Sequence, residues 1–412
     1  MDRYARQQII GGWDQSVLNR ATLLIAGSGW TGFLTALMAT AMGFGRIVIV
    51  GKRRAKEDEV GLARIVQGSK KAWCDFLSRV NPDVRLYPAE RDLDARMIAR
   101  LSPDVVIVAD ARRAILRTAA QLADEGLPIS CGWAAGGLGF WGAPQADQVT
   151  DRLSHLQESP VVGQIMAGLL VEEARKAILP LPTEAGRTES RQLFVSAKLS
   201  GDTGQRLRDA RLCQGDVSVV GAGALGTWFG LACGMAGIRR KQIHLFDDDV
   251  VDATNLNRQI LFFGAVGKPK APMLVQHLQK LFPRTKWCGY GMRVDANTYQ
   301  HVDARSILVA CPDSFQVRGF LNDLARARTQ PLLNGGTSAD GGSCYSYVPG
   351  VTACLQCSMG IDRLVQREAE PRPCAQQVEA SVVTSNAIAG ALMVSSLQGM
   401  MSGQTRQGQW GY

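Results

Sequence analysis

One pattern is written twice in this chain, and an internal duplication restricts the fold more than any composition can. GSGWTG (Gly27–Gly32) follows the apolar run ATLLIA, and GAGALG (Gly221–Gly226), 194 residues later, follows DVSVV. Each leads into a helix-like stretch closed by a glycine, Met42-Gly43 or Ala236-Gly237, and then into a second strand-like run, RIVIV (Arg46–Val50) or IHLF (Ile243–Phe246). Further on, VVIVAD (Val105–Asp110) parallels ILVACPD (Ile307–Asp313), and LPISCGW (Leu127–Trp133) parallels QPLLNGG (Gln330–Gly336). Each copy closes on a Val-Val pair before an apolar helix with Ala-Gly: Val161-Val162 with Ala167-Gly168, and Val382-Val383 with Ala389-Gly390. Strand, Gly-rich turn, helix, strand is the βαβ unit. The expected fold class is therefore α/β, with two tandem Rossmann-like domains and largely parallel sheets. The boundaries read as a first domain over 1–180, a polar linker over 181–211 with one strand at LFVSA, and a second domain over 212–412.

Composition removes whole classes. With 46% hydrophobic and 20% charged residues the chain is neither disordered, collagen-like nor a long coiled coil. No run reaches about 18 clean apolar positions, so no membrane span is expected, and MDRYARQQII lacks the features of a signal peptide. The ten Cys are scattered in a chain too long to need disulfide staples, which favours a reducing, cytoplasmic location with metal or thiol chemistry. The net charge of +9 favours acidic partners, nucleotide, acidic protein or nucleic acid, without choosing among them.

A glycine-rich turn between strand and helix brings backbone amides to a phosphate. With an acidic residue about 20 positions on, it reads first as a dinucleotide site. In the second copy Gly221, Gly223 and Gly226 form the turn and Asp247 ends the next strand, placed for ribose hydroxyls. The run FDDDVVDATNLNRQILF then adds Asp249, Asn255 and Arg258, and GKPKA adds Lys270. Cations and amides beyond the ribose site suit a triphosphate better than a bridging pyrophosphate. Asp313, at the end of a later strand, is placed to hold Mg²⁺ between phosphates. The first copy has Gly51 where the second has Asp247 and lacks Asn-x-x-Arg-Gln, so one half reads as catalytic and the other as its degenerate partner.

These residues resemble the ThiF/MoeB and ubiquitin-activating-enzyme superfamily. The resemblance rests on RYARQ (Arg3–Gln7), GAGALG, the Asp-x-Asp with NLNRQ over Asp247–Gln259, and TACLQC (Thr352–Cys357), and it covers nearly the whole chain. It implies two ThiF-type domains forming an intramolecular pseudo-dimer, without excluding further pairing. It also implies ATP- and Mg²⁺-dependent adenylation of the C-terminal glycine of a ubiquitin-like protein. The glycines and Asp247 would hold the nucleotide, Asp249 and Asn255 would lie near the phosphates, Arg258 and Lys270 would hold them, and Asp313 would ligate Mg²⁺. Arg6 would reach the ATP of the other half.

Cys354-x-x-Cys357 has the spacing of half a zinc site, and family members with structural zinc complete it with a second pair. No Cys follows Cys374, so Zn²⁺ would need Cys344 or another group, and two buried thiols are the alternative. Cys374 sits in EPRPCAQQ, after Arg372, in a polar stretch expected to be a loop over about 358–380. The resemblance implies that it takes the acyl group as a thioester and passes it to a conjugating enzyme. The pattern Pro-Arg-Pro-Cys-Ala lacks the family's Thr after the cysteine, and a ligand or an inert thiol are the alternatives. The four His fall in no motif. With no ubiquitin-fold domain expected after the last helix, the arrangement resembles a prokaryotic, bacterial or archaeal, conjugation pathway and suits antiviral defence. Adenylation without a thioester, as in sulfur-carrier activation, an NAD(P)-binding oxidoreductase and a non-catalytic scaffold are the rival readings. No nucleic-acid motif and no membrane partner are found.

Overall fold

The computed structural model describes residues 2–52, 59–110, 112–135, 138–142, 158–181, 195–196, 215–238, 242–339, 341–370, 380–402 and 407–411. The chain divides into two compact units. One holds Met1–Leu199 with Leu256–Arg258 and Val382–Thr384; the other holds Ser200–Asn255, Gln259–Ser381 and Ser385–Tyr412.

In the first unit α1 (Gln15–Arg20) precedes β1 (Thr22–Gly27), α2 (Trp30–Met42), β2 (Arg46–Val50), α3 (Gly61–Val66), α4 (Lys70–Val80) and β3 (Arg85–Ala89). Then come α5 (Ala95–Leu101), β4 (Val105–Ala109), α6 (Arg113–Asp124), β5 (Ile129–Ala135), β6 (Leu138–Gly142), α7 (Pro160–Ile178) and β7 (Val195–Ser196). The sheet order is β3-β2-β1-β4-β5-β6-β7. Pairing is parallel from β3 to β5 and antiparallel from β5 to β7. Central strands such as VVIVA and RIVIV are almost wholly buried, as parallel strands covered on both faces must be. Helix α2 is buried all round from Thr31 to Met42, sandwiched between sheet and α7, and ends at Gly43 in the left-handed region (φ +92°). On the opposite face Leu24, Val48, Val106, Leu116 and Trp133 form one core cluster.

The second unit repeats the plan. β8 (Val217–Val220), α8 (Ala224–Met235), β9 (Ile243–Phe246), α9 (Lys270–Leu281), β10 (Trp287–Tyr290), β11 (Ile307–Ala310) and α10 (Phe315–Ala327) come first. β12 (Leu332–Thr337), β13 (Gly341–Tyr347), α11 (Leu355–Met359), α12 (Ile361–Ala369), α13 (Val383–Met401) and β14 (Gln407–Gly411) follow. The order β10-β9-β8-β11-β12-β13-β14 matches that of the first sheet strand for strand, again with antiparallel strands at the β13-β14 end. The four strand pairs aligned from the sequence thus occupy equivalent places. Among the described residues no helix is long and apolar enough to cross a membrane.

The outer strands carry weaker signals. β3 is largely exposed and contains Pro88, as edge strands tolerate, and β10 is short with a glycine. Of the LFVSA stretch, Val195–Ser196 is described and pairs with Leu138–Gly139 of the first sheet. In the second unit Gly390 lets α13 approach the backbone of α8, since a Cβ there would lie 2.7 Å from Phe229 N and Trp228 C. Gly390→Ala is expected to cost about 1–3 kcal/mol through overpacking. The measurement is a lower urea midpoint at unchanged slope.

Candidate nucleotide-binding site

β8 lies between β9 and β11, all three parallel, with Val220 opposite both Phe246 and Ala310. Chain order departs from β8 in both directions, so a crevice opens at the carboxyl ends of these strands, where open α/β sheets bind ligands. The residues that follow the three strands are Gly221, Asp247 and the Cys311-Pro312-Asp313 turn.

Gly221 adopts φ +102°, and a Cβ there would be 2.7 Å from the Cys311 carbonyl. A Cβ on Gly226 would be 2.0 Å from Gly221 O, so only glycine lets α8 start this close to β8. Gly223 is different. It is the N-cap of α8 with φ −72°, which any residue can adopt, and among the described residues, its chain neighbours aside, only Gln259 Nε2, at 3.9 Å, comes within 4 Å of its would-be Cβ. Neither conformation nor packing among the described residues requires glycine at that point.

The first unit shows what such a loop holds. There the equivalent residue is Gly29, and its would-be Cβ falls 2.0 Å from Glu158 Oε2. The Glu158 carboxylate accepts hydrogen bonds from Trp30 N (2.8 Å), Thr31 N (2.7 Å) and Thr31 Oγ1 (2.8 Å). The chain's own anion thus sits on the first-turn amides of α2, as a phosphate would. Lys70, which opens α4 as Lys270 opens α9, is fully buried with its ammonium 3.8 Å from the Trp73 ring centroid. Gly51, at the place of Asp247, has φ +152°, and a Cβ there would lie 2.4 Å from Gly27 O.

In the second unit Asp247 ties the crevice together. Its Oδ2 accepts from Ala222 N (2.6 Å), inside the glycine loop, and its Oδ1 accepts from Asp249 N (2.9 Å). Burial raises the Asp247 pKa, opposed by the Lys270 charge and these two amides. Lys270 is buried along its stem, and its Nζ meets the exposed Asp249 carboxylate at 2.7 Å. The carboxylate oxygens of Asp247, Asp248 and Asp249 come within 4.8 Å of one another. Asn255 is buried, and its Oδ1 closes a turn by accepting from Asp252 N (3.0 Å). Arg258 belongs to the segment grouped with the first unit, where its Nη1 donates to Asn257 Oδ1 (2.9 Å) and Asn257 Nδ2 donates to Gln7 Oε1 (3.0 Å). Arg6 is partly buried in the same unit, between buried Tyr4 and Gln7.

Asp313 is exposed, and its turn is held from both sides by residues with no motif to mark them in the sequence. Arg318, buried on α10, donates to the carbonyls of Pro312 and Gly335 and to Asn334 Oδ1 (2.7 Å). Glu368 on α12 accepts from Ser314 Oγ (3.0 Å), Phe315 N (3.0 Å) and Gln316 N (2.8 Å), capping α10. An exposed carboxylate at a strand end suits Mg²⁺, which takes one or two protein oxygens and keeps its waters.

Zinc fits less well. Cys354 and Cys357 place their sulfurs 3.9 Å apart, but among the described residues no third Cys, His, Asp or Glu comes within ligand distance of them. Cys344 is elsewhere: buried, bonded to Ser396 Oγ, its thiol pushed up to about 11 by burial. Cys374 lies outside the described residues.

The ThiF family model matches residues 189–410, more than half of the chain. The chain belongs to the ThiF family. Within it, this ThiF-family chain is 30% identical over 128 residues to the NEDD8-activating enzyme E1 catalytic subunit of Saccharomyces cerevisiae, covering 29% of this chain and 43% of that protein. It is 32% identical over 176 residues to the sulfur carrier protein ThiS adenylyltransferase of Bacillus subtilis, covering 42% of this chain and 50% of that protein. It is 32% identical over 149 residues to the SAMP-activating enzyme E1 of Haloferax volcanii, covering 36% and 54%. The chain thus spans about half the length of these curated relatives.

The two glycines make a paired test. Gly223→Ala is expected to leave stability within about 0.5 kcal/mol, as an unobstructed surface substitution does, yet to weaken nucleotide binding at least tenfold. Gly226→Ala is expected to lose stability and binding together. Isothermal titration with ATP beside urea denaturation separates the two.

Proposed function

We propose that the second unit adenylates the C-terminal carboxylate of a ubiquitin-like protein with Mg·ATP, and that Cys374 then receives the acyl group. The observation that carries the first step is the site at the ends of β8, β9 and β11. A glycine loop whose N-cap Cβ position meets no close atom among the described residues, a half-buried Asp247, Lys270 and Asp313 lie about one crevice. The anion on the matching loop of the first unit supports the assignment of phosphate to this one.

In the proposed reaction a carboxylate oxygen of the partner's terminal glycine attacks the α-phosphorus. The bond from that phosphorus to the bridging oxygen breaks, and pyrophosphate leaves with the electron pair. Lys270 is already drawn towards an anionic oxygen by Asp249, and exchanging that carboxylate for a phosphate places its charge on the developing negative oxygens. Asp247 would orient the ribose while keeping the glycine loop in place. Mg²⁺, held by Asp313, would supply charge neutralisation between phosphates. Arg258 and Arg6 are assigned, on the family resemblance, as further cations for the phosphates. The Cys374 thiolate then attacks the acyl carbon, AMP leaves, and the resulting thioester is passed to a cysteine of a conjugating enzyme.

The sulfur-carrier reading keeps the first step and omits the second; the similarity to a ThiS adenylyltransferase over 42% of the chain favours weighing it. ATP–pyrophosphate exchange in the presence of the partner tests both. Wild type is expected to exchange with Mg²⁺, and Lys270→Met or Asp313→Asn to fall about 100-fold or more. Cys374→Ala is expected to retain exchange while losing a dithiothreitol-sensitive adduct on a non-reducing gel. Persistence of that adduct removes Cys374 from the pathway; its absence from wild type supports sulfur-carrier activation. Protection by NAD(P) and not by Mg·ATP in a thermal shift overturns adenylation altogether.

A further inference from the structure

Cys354 is the N-cap residue of α11 and Cys357 stands three positions further on, within the helix. The two sulfurs are 3.9 Å apart. Cys357 is exposed and Cys354 is buried beside it. This spacing serves zinc in a four-ligand set, but here the described residues offer the metal only these two. What the geometry does provide is two thiols on one helix end, one open to solvent and one behind it, close enough for a side-chain rotation to bring the sulfurs to the about 2 Å of a disulfide. Of the other described thiols, Cys74, Cys131, Cys233, Cys311 and Cys344 are buried, with burial pushing Cys311 to about 12, and Cys288 is partly exposed.

We propose that Cys354 and Cys357 form a reversible dithiol–disulfide site that reacts with small exogenous disulfides of the glutathione class. The exposed Cys357 loses its proton to water and attacks one sulfur of the disulfide. One glutathione thiolate leaves and a mixed disulfide remains on Cys357. Cys354, as its thiolate, then attacks the Cys357 sulfur, and the second glutathione thiolate leaves. The balance is one external disulfide reduced to two thiols and one protein dithiol oxidised to a disulfide. This rests on the cysteine pair alone and is independent of the adenylation proposal.

The test is a covalent map of the full chain. The protein is incubated in oxidised glutathione, alkylated with iodoacetamide and digested for mass spectrometry. In wild type both cysteines are expected to escape alkylation, their peptide to lack the mass of two hydrogens, and dithiothreitol to restore both sites. Cys354→Ser is expected to trap glutathione on Cys357, whereas Cys357→Ser leaves Cys354 without adduct. Full alkylation of both cysteines in oxidised wild type would overturn the proposal. So would stoichiometric zinc in the purified chain whose removal is needed before either thiol reacts.

Discussion

A single carboxylate holds the second unit's crevice in shape. Asp247 leaves the end of β9 and accepts the amide of Ala222 across the gap to the loop that ends β8. That contact fixes the glycine turn against the neighbouring strand, and the turn in turn sets where α8 begins and where its first amides point. The acid bears a penalty for burial that Lys270 and two N–H groups offset. In the first unit no carboxylate bridges the same gap: Gly51 brings backbone directly against the Gly27 carbonyl, beside the Lys70 stem. One substitution, acid for glycine, therefore separates a crevice with an electrostatic centre from one closed by the main chain.

The second anchor lies beside Asp313. Arg318 gathers the carbonyls of Pro312 and Gly335, and Glu368 takes the first amides of α10. The buried Arg318 guanidinium is bonded to three acceptors, as low-dielectric surroundings demand. Asp313 can remain exposed at a fixed place because its neighbours on either side are bonded.

The sheet was legible in the chain wherever strands are buried on both faces. VVIVAD and ILVACPD stand in the same position of two sheets with the same strand order, and Met42-Gly43 does end its helix in the left-handed region. The outer strands escaped because edge position and antiparallel pairing relax the apolar run: RLYPA opens on Arg85, is largely exposed and carries a proline. Of the candidate site, the residues with a motif, Gly221, Gly226 and Asp247, fall at one set of strand ends. Arg318, Glu368 and Glu158 had no signal, since a charged residue that bonds distant backbone looks in sequence like any solvated side chain. Asn255 has the amide chemistry to meet a phosphate, but its Oδ1 accepts from Asp252 N and closes a local turn.

Glu158 carries a consequence for occupancy. It lies two residues before α7, next to the N-cap Ser159, and α7 packs on α2, so its carboxylate is delivered to the α2 amides by a helix that is itself part of the core. A ligand attached in this way is present at an effective concentration of about millimolar or more whatever the solution holds. Cellular nucleotide therefore meets a competitor in the first loop that never dissociates from the molecule. Among the described residues one of two anion cradles is thus a permanent joint, and on the proposed reading nucleotide would be left with the other.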